Sequence, residues 1–248
     1  MVDVALIGTG ITRFGKALAT PLRALVQEAV DGALADAGVS AGDLQAAFCG
    51  NAIAGLITGQ EMVRGQVALR SMGIQGIPVV NVENACATGS TALHLACTAV
   101  ASGQYDLVLV VGAEKMTHED RRRPVLAVAS ALDVEDDVDL DSPSPFMDIY
   151  AAKVREYLAH SEATVEDLGR VVVKAQRLGA LNPMAQYGGD VTVEQVLADP
   201  LISDPLTRMM CSPIGDGAAA VVVASAERAR ALGIPSIVRV LASVLQSG

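Results

Sequence analysis

Residues 77–114 read IPVVNVENACATGSTALHLACTAVASGQYDLVLVVGAE. "IPVVNVE" (77–83) has the β-branched content of a strand. "YDLVLVVGAE" (105–114) is a continuous apolar run, the pattern of a strand covered on both faces. Between them, Cys86–Ser102 consists of small, apolar and uncharged polar residues and stops before Gly103. With no charge on any face, it reads as a buried helix. A strand, a helix and a second strand in this order predict neighbouring strands in a layered α/β sheet.

The flanking sequence extends the same alternation. Residues 3–8 (VALIGT) read as a strand. Residues 21–37 place Leu22, Leu25, Val26, Ala29, Val30, Ala33 and Leu34 at helical spacing, with Thr20 as cap, Pro21 at the first position and Gly38 as stop. "AAFCG" (46–50) is a short strand, and residues 60–73 read as a helix interrupted by Gly65. "GTGITRFG" (8–15) is spaced GxGxxxxG, which departs from the dinucleotide fingerprint and reads as a turn. Beyond Glu114 the pattern changes: "EDRRRP" is charged and residues 133–145 are acidic and turn-rich. Helices are predicted over 146–160, over 164–178 with "TVED" as a capping box, and over 192–198. "AAAVVVA" (218–224) is a buried strand, followed by a short helix at "AERARALG" and a last strand at "SIVRVLASV" (236–244). Residues 115–210 thus read as a helical insertion that returns the chain to its first sheet.

The chain has 248 residues, 51% of them hydrophobic, and a net charge of −10. Its mean hydropathy is +0.40. No apolar run approaches the roughly 18 residues of a membrane span, so the excess hydrophobicity points to a deep core, an oligomer interface or both. The acidic balance argues against a nucleic-acid binder. The first residues lack the pattern of a signal peptide. Four cysteines without a CxxC and three histidines without ligand spacing argue against a zinc site or disulfide framework, and the reducing cytoplasm is the expected compartment.

Cys86 sits where strand gives way to helix. A helix N-terminus carries about half a positive charge, which favours a thiolate, and its N–H groups can receive a developing oxyanion. Small neighbours from Ala87 to Ser90 leave room for a substrate. The competing reading is a buried core thiol, since free cysteines are often buried. Cys97 is mid-helix and Cys49 ends a strand; both read as structural. His94 lies about 12 Å along the helix axis, too far to be the base of Cys86. His118 is a weaker candidate on a loop. Arg121–Arg123 are either a phosphate contact or a solvated surface run.

"VENACATGSTALHLACTAVASGQYDLVLVVGAEKMT" (82–117) resembles the nucleophile segment of thiolases, closest to the sterol-carrier-protein type and its lipid-transfer-like relatives. "VALIGTGITRFG", "CGNAIAG" (49–55), "SPFMDIYAAK" (144–153), "GALNPMAQ" (179–186) and "CSPIGDGAAAVVV" (211–223) agree in the same order. The resemblance implies an α/β thiolase-like fold with a mixed, mostly parallel sheet, covering helices and a helical loop domain. It divides the chain into a first core part (1–114), a CoA-binding loop domain (115–210), a return strand (211–226) and the start of a second half (227–248). It implies acyl transfer through Cys86, with Ser212 touching the pantetheine arm and Met147 lining the reaction cavity. CoA and acyl-CoA are then substrates, with no resident cofactor or metal. It further implies a homodimer, a role in lipid metabolism and, as a candidate partner, a small protein carrying an OB fold and a zinc ribbon.

Two departures accompany the resemblance. Many thiolases carry Asn, Ser or Thr three residues before the nucleophile, where this chain has Glu83. The family's Gly-His-Pro histidine and its late Cys-Gly-Gly cysteine do not occur before Gly248. A thiolate alone would forgo acid–base acceleration of about 10²–10⁴-fold, so the expectation is that a complementary half supplies these groups. The alternatives are a non-catalytic thiolase-like subunit and a retro-aldolase acting on a branched steroid-type acyl-CoA, a chemistry that does not require Cys86.

Overall fold

The computed structural model describes residues 2–133, 135, 142, 144–234 and 238–246. The chain divides into two units, residues 1–117 with 215–248, and residues 118–214. In the first unit the order is β1 (Val4–Ile11), α1 (Leu22–Ala37), β2 (Ala46–Gly50), α2 (Ala54–Thr58), α3 (Arg64–Arg70), β3 (Val79–Val82), α4 (Thr88–Ala101) and β4 (Leu107–Glu114). The second unit holds α5 (Arg122–Ala129), α6 (Pro145–Ala159), α7 (Val165–Gly179), α8 (Val193–Leu197) and a hairpin of β5 (Leu201–Ser203) and β6 (Leu206–Thr207). The chain then re-enters the first unit as β7 (Gly217–Ser225), α9 (Ala226–Ala231) and β8 (Val238–Arg239).

The sheet order is β3-β2-β4-β7-β1-β8. β2 pairs in parallel with β3 and β4, while β7 runs antiparallel between β4 and β1 and β8 is antiparallel to β1. The sheet is therefore mixed, with β1 to β4 running one way. The returning apolar strand occupies the middle of the sheet, so its run of alanines and valines is covered on both sides.

The two faces of β4 show why its sequence is uniformly apolar. Leu107, Leu109 and Val111 pack with Leu25, Val26, Ala29 and Val30 of α1. Val108 and Val110 pack on the other face with Ala92, Ala96, Cys97 and Val100 of α4. Successive side chains of a strand point to opposite faces, so a strand between two helical layers needs apolar residues at every position.

The glycines of "GTGITRFG" correct the turn reading. Gly8 and Gly10 lie within β1, which runs on to Ile11. A Cβ on Gly10 would stand 2.0 Å from the Ala29 carbonyl oxygen, and one on Gly8 2.4 Å from that of Ala33. The small residues Ala29, Gly32, Ala33 and Ala37 let α1 lie directly on the strand. Gly10→Ala is expected to destabilise the fold by about 3 kcal/mol or more, because backbone rather than a side-chain tip must yield. Gly15→Ala, where an added Cβ meets nothing within 4 Å, is the control and should be close to neutral. Urea denaturation of the pair checks this.

Other boundaries shift for local reasons. Pro21, not Thr20, caps α1, and it makes no side-chain cap bond; Gly38 ends the helix in the left-handed region at φ 64°. Helix α5 was not expected from "RRRP", yet Pro124, Ala127 and Ala129 bury one face of it. The predicted capping box at Thr164 is present, the hydroxyl accepting from the Asp167 N–H and the Asp167 carboxylate accepting from the Thr164 N–H. The last strand spans only Val238–Arg239 among the described residues of 236–244. Most of the acidic stretch 133–145 lies outside the described residues.

The uniformly buried helix predicted at 86–102 is also corrected. α4 buries Thr88, Thr91, Ala92, Ala96, Cys97 and Val100, but its opposite face is open at Gly89, Ser90 and Thr98. Lack of charge marked the whole helix as buried, whereas the sheet covers one side of it.

Candidate functional site

Cys86 lies outside the α-helix, in a 3-10 turn (Ala85–Ala87) that links β3 to α4. It is exposed. That removes the buried-thiol reading and places the sulfur before the first turn of α4 rather than within it. Three further thiols are free. Cys97 is buried against the sheet, and Cys49 is buried at the end of β2.

The turn is built by hydrogen bonds from its neighbours. The Thr88 hydroxyl accepts from the Asn84 N–H at 2.8 Å and donates to the Ala85 carbonyl at 2.7 Å. The Asn84 amide donates to the Thr91 hydroxyl at 2.9 Å, and the Ala87 N–H donates to the Asn84 carbonyl at 2.9 Å. The Glu83 carboxylate accepts from the Ala85 N–H at 2.6 Å. Ala85 has φ 44°, in the left-handed region. A chain leaving an extended strand at Val82 is thereby turned within five residues into α4, with Cys86 exposed on the bend.

Burial separates the other thiols from Cys86. Desolvation pushes the Cys49 thiol up to about 12 and raises those of Cys97 and Cys211. Each of these thiols is thereby less ionised near neutrality than an ordinary thiol, and less nucleophilic for it. Cys211 also donates through sulfur to the Thr207 carbonyl at 3.4 Å. Limited iodoacetamide treatment of the native protein is therefore expected to alkylate Cys86 first. Peptide mapping that found Cys49 or Cys97 labelled equally fast would contradict this ordering.

The histidines do not complete a pair with Cys86 among the described residues. His94 Nδ1 is 3.0 Å from the Ser243 hydroxyl, and His118 Nε2 is 3.1 Å from an Arg123 guanidinium nitrogen. Ser212 and Met147 belong to the second unit, whereas Cys86 belongs to the first. Ser212 is exposed in the loop after a 3-10 turn at Arg208–Met210, and Met147 is half-buried in the first turn of α6. Arg121 and Arg122 are exposed where α5 begins. Within the second unit, "GALNPMAQ" closes a tight loop: the Gly189 N–H donates to the Gln176 carbonyl, and a Cβ on Gly188 would stand 2.2 Å from the Ala180 nitrogen. Among the described residues, no three or more His, Cys, Asp and Glu side chains come together as a group that could hold a metal ion. No helix among them is long and apolar enough to cross a membrane.

Two motifs singled out in the sequence without an assigned task turn out to be joined. Asp216 of "IGDG" meets "EKMT" in a buried ion pair, Lys115 Nζ standing 2.6 Å from Asp216 Oδ2. The carboxylate also accepts from the N–H groups of Met116 and Thr117 at 2.8 Å each, from the Ala17 N–H at 3.0 Å and from the Thr117 hydroxyl. Lys115 donates in addition to the Ala17 carbonyl at 2.7 Å. Glu114 ties the end of β4 to the end of β2, accepting from the Asn51 amide at 2.9 Å and from the Ala52 N–H at 3.0 Å. These contacts fix the loops at one end of the sheet, where β2 and β4 terminate.

The thiolase N-terminal domain is the family whose model matches, over residues 4–227. The acetyl-CoA acetyltransferase of Methanothermobacter thermautotrophicus is 40% identical over 230 residues, 93% of this chain and 59% of that protein. The benzoylsuccinyl-CoA thiolase subunit BbsB of Thauera aromatica is 35% identical over 206 residues, 83% of this chain and 51% of that protein. Among solved structures, the Ltp2-ChsH2(DUF35) aldolase superposes with a TM-score of 0.71 at 27% identity, covering 92% of this chain and 57% of that one. The chain thus spans about half to three-fifths of the length of these relatives.

Proposed function

Since the chain belongs to the thiolase family through its N-terminal domain, we propose that it supplies the nucleophile of a thiolase-type acyl-CoA acyltransferase. The observation that carries the reading is the exposed Cys86, held on a hydrogen-bonded turn between β3 and α4. In the cleaving direction the Cys86 thiolate attacks the 3-keto carbonyl of a β-ketoacyl-CoA. The bond between C2 and C3 breaks, its electron pair goes to C2, and C2 takes a proton as acetyl-CoA or another short acyl-CoA leaves. The acyl group remains on sulfur as a thioester. The CoA thiol then attacks that thioester, releasing the shortened acyl-CoA and returning the cysteine. The reading assigns the nucleophile to this chain, and not the acid–base groups that move the proton at C2.

The second unit is read as the part that binds CoA, with Ser212 contacting the pantetheine arm and Met147 bordering the acyl group. CoA and acyl-CoA are substrates in this reading, and no resident cofactor or metal is needed. The cytoplasm is the proposed compartment and lipid metabolism the proposed setting. A homodimer is supported by β3, whose outer edge is unpaired among the described residues while Val80 is 40% exposed on it. An OB-fold and zinc-ribbon partner is proposed from the two-component name of the solved aldolase neighbour.

That neighbour also favours a second reading, in which the fold cleaves a branched acyl-CoA by retro-aldol chemistry. The exposure of Cys86 favours acyl transfer. Trapping an acyl-enzyme with acetyl-CoA and other short acyl-CoA thioesters, and locating the acyl group by mass spectrometry, tests the proposal; an acyl group on any cysteine other than Cys86 overturns it.

A further inference from the structure

The conformation that presents Cys86 is unusual at the residue before it. Ala85 adopts φ 44°, a region that L residues other than Asn and Asp seldom enter. Alanine has no side chain with which to offset this, so the conformation depends on its neighbours. Both backbone polar groups of Ala85 are engaged. Its carbonyl accepts from the Thr88 hydroxyl at 2.7 Å and from the Thr88 N–H, and Thr88 is buried. Thr88 is seated against β2, where a Cβ on Gly50 would come within 2.9 Å of its Cγ2. The carbonyl side of Ala85 is therefore anchored in the core. Its N–H side rests on one exposed group, the Glu83 carboxylate, at 2.6 Å.

We propose that Glu83 is a positioning residue, whose carboxylate holds Ala85 in the left-handed conformation and so fixes the direction in which the Cys86 sulfur points. A hydrogen bond from a backbone N–H to a charged carboxylate is shorter and stronger than one between neutral groups. A carboxylate two residues upstream, just past the end of β3, has the reach to make it. The inference rests on Cys86 being the acylated residue, and its test reads the turn separately from the chemistry.

Two variants divide the roles of hydrogen bond and charge. Glu83→Gln keeps an oxygen that can accept from the Ala85 N–H, whereas Glu83→Ala keeps none. Amide hydrogen exchange of the segment around Ala85 needs no acyl transfer. Glu83→Ala is expected to speed exchange at Ala85 about tenfold or more, the scale set by loss of a charged hydrogen bond, while Glu83→Gln, which keeps a neutral acceptor, should fall between Glu83→Ala and wild type. In single-turnover acylation of the purified protein by acetyl-CoA, Glu83→Ala should lower the limiting rate by a similar factor. The half-saturating acetyl-CoA concentration should not change, and Glu83→Gln should restore part of the rate. Thermal midpoints should agree within about 2 °C, as for surface substitutions generally. Unchanged exchange in Glu83→Ala overturns the clamp. Altered exchange with unaltered acylation overturns the positioning role, and equal impairment in both variants assigns the effect to charge instead. If the wild type is not acylated at Cys86, the proposed nucleophile falls while the exchange result still decides whether Glu83 holds the turn.

Discussion

Cys86→Ser is expected to lower acyl-enzyme formation roughly 10³-fold or more, since a hydroxyl without an adjacent base is a far weaker nucleophile than a thiolate. The experiment discriminates because three thiols remain in the variant. Cys49 and Cys97 are buried with raised pKa values, and Cys211 is half-buried with its pKa raised by desolvation. If the acyl group trapped on wild-type protein were adventitious, it would persist on one of these after Cys86 is removed. Intact-mass measurement should show one acyl group per wild-type chain and none on Cys86→Ser, with thermal midpoints alike because the side chain is exposed. The same variant separates the two readings of the fold. Retro-aldol cleavage does not pass through a cysteine thioester, so an activity on branched acyl-CoA that survives Cys86→Ser would identify the aldolase reading and remove the acyltransferase one.

The sequence carried the layered α/β class because its strongest signals are local. The continuous run Leu107–Val111 needed only the two-residue period of a strand to be read, and the helix of Leu22–Ala37 only its apolar spacing. The position of Cys86 between strand and helix was legible on the same ground. Its environment was less so. The left-handed Ala85 has no marker, since alanine is not a residue that announces positive φ. The openness of one face of α4 depends on what packs there, and composition records only that the face is uncharged. Gly8 and Gly10 could have been placed correctly: Ala29, Gly32, Ala33 and Ala37 form a small-residue stripe at helical spacing, and two glycines in a strand with such a partner signal close approach rather than a turn. The pairing of Lys115 with Asp216 joins residues 101 apart, and no periodicity links them. Both motifs were visible, but their contact belongs to the tertiary fold.

That contact leads to the largest expected loss of stability. Asp216→Asn leaves Lys115 buried without a counter-charge, and removing one member of a buried pair costs about 3–5 kcal/mol. For a chain of this size the thermal midpoint should fall by about 10 °C or more. Lys115→Met should cost less, because the carboxylate keeps the Ala17, Met116 and Thr117 N–H groups and the Thr117 hydroxyl as donors. Acid titration supplies an independent check. Burial alone would raise the pKa of Asp216, but the Lys115 and Thr117 side chains and the N–H groups of Thr117 and Met116 outweigh it and hold the carboxyl below its ordinary value. A carboxylate with a depressed folded pKa adds stability that is fully present above its unfolded pKa. The contribution is lost as pH falls through the folded pKa. The gap in stability between wild type and Asp216→Asn should therefore be widest near neutrality and narrow below the ordinary carboxylate range. Urea denaturation at a series of pH values measures it, and a gap that stayed constant into strong acid would show that the pair does not hold the sheet-end loops through its charge.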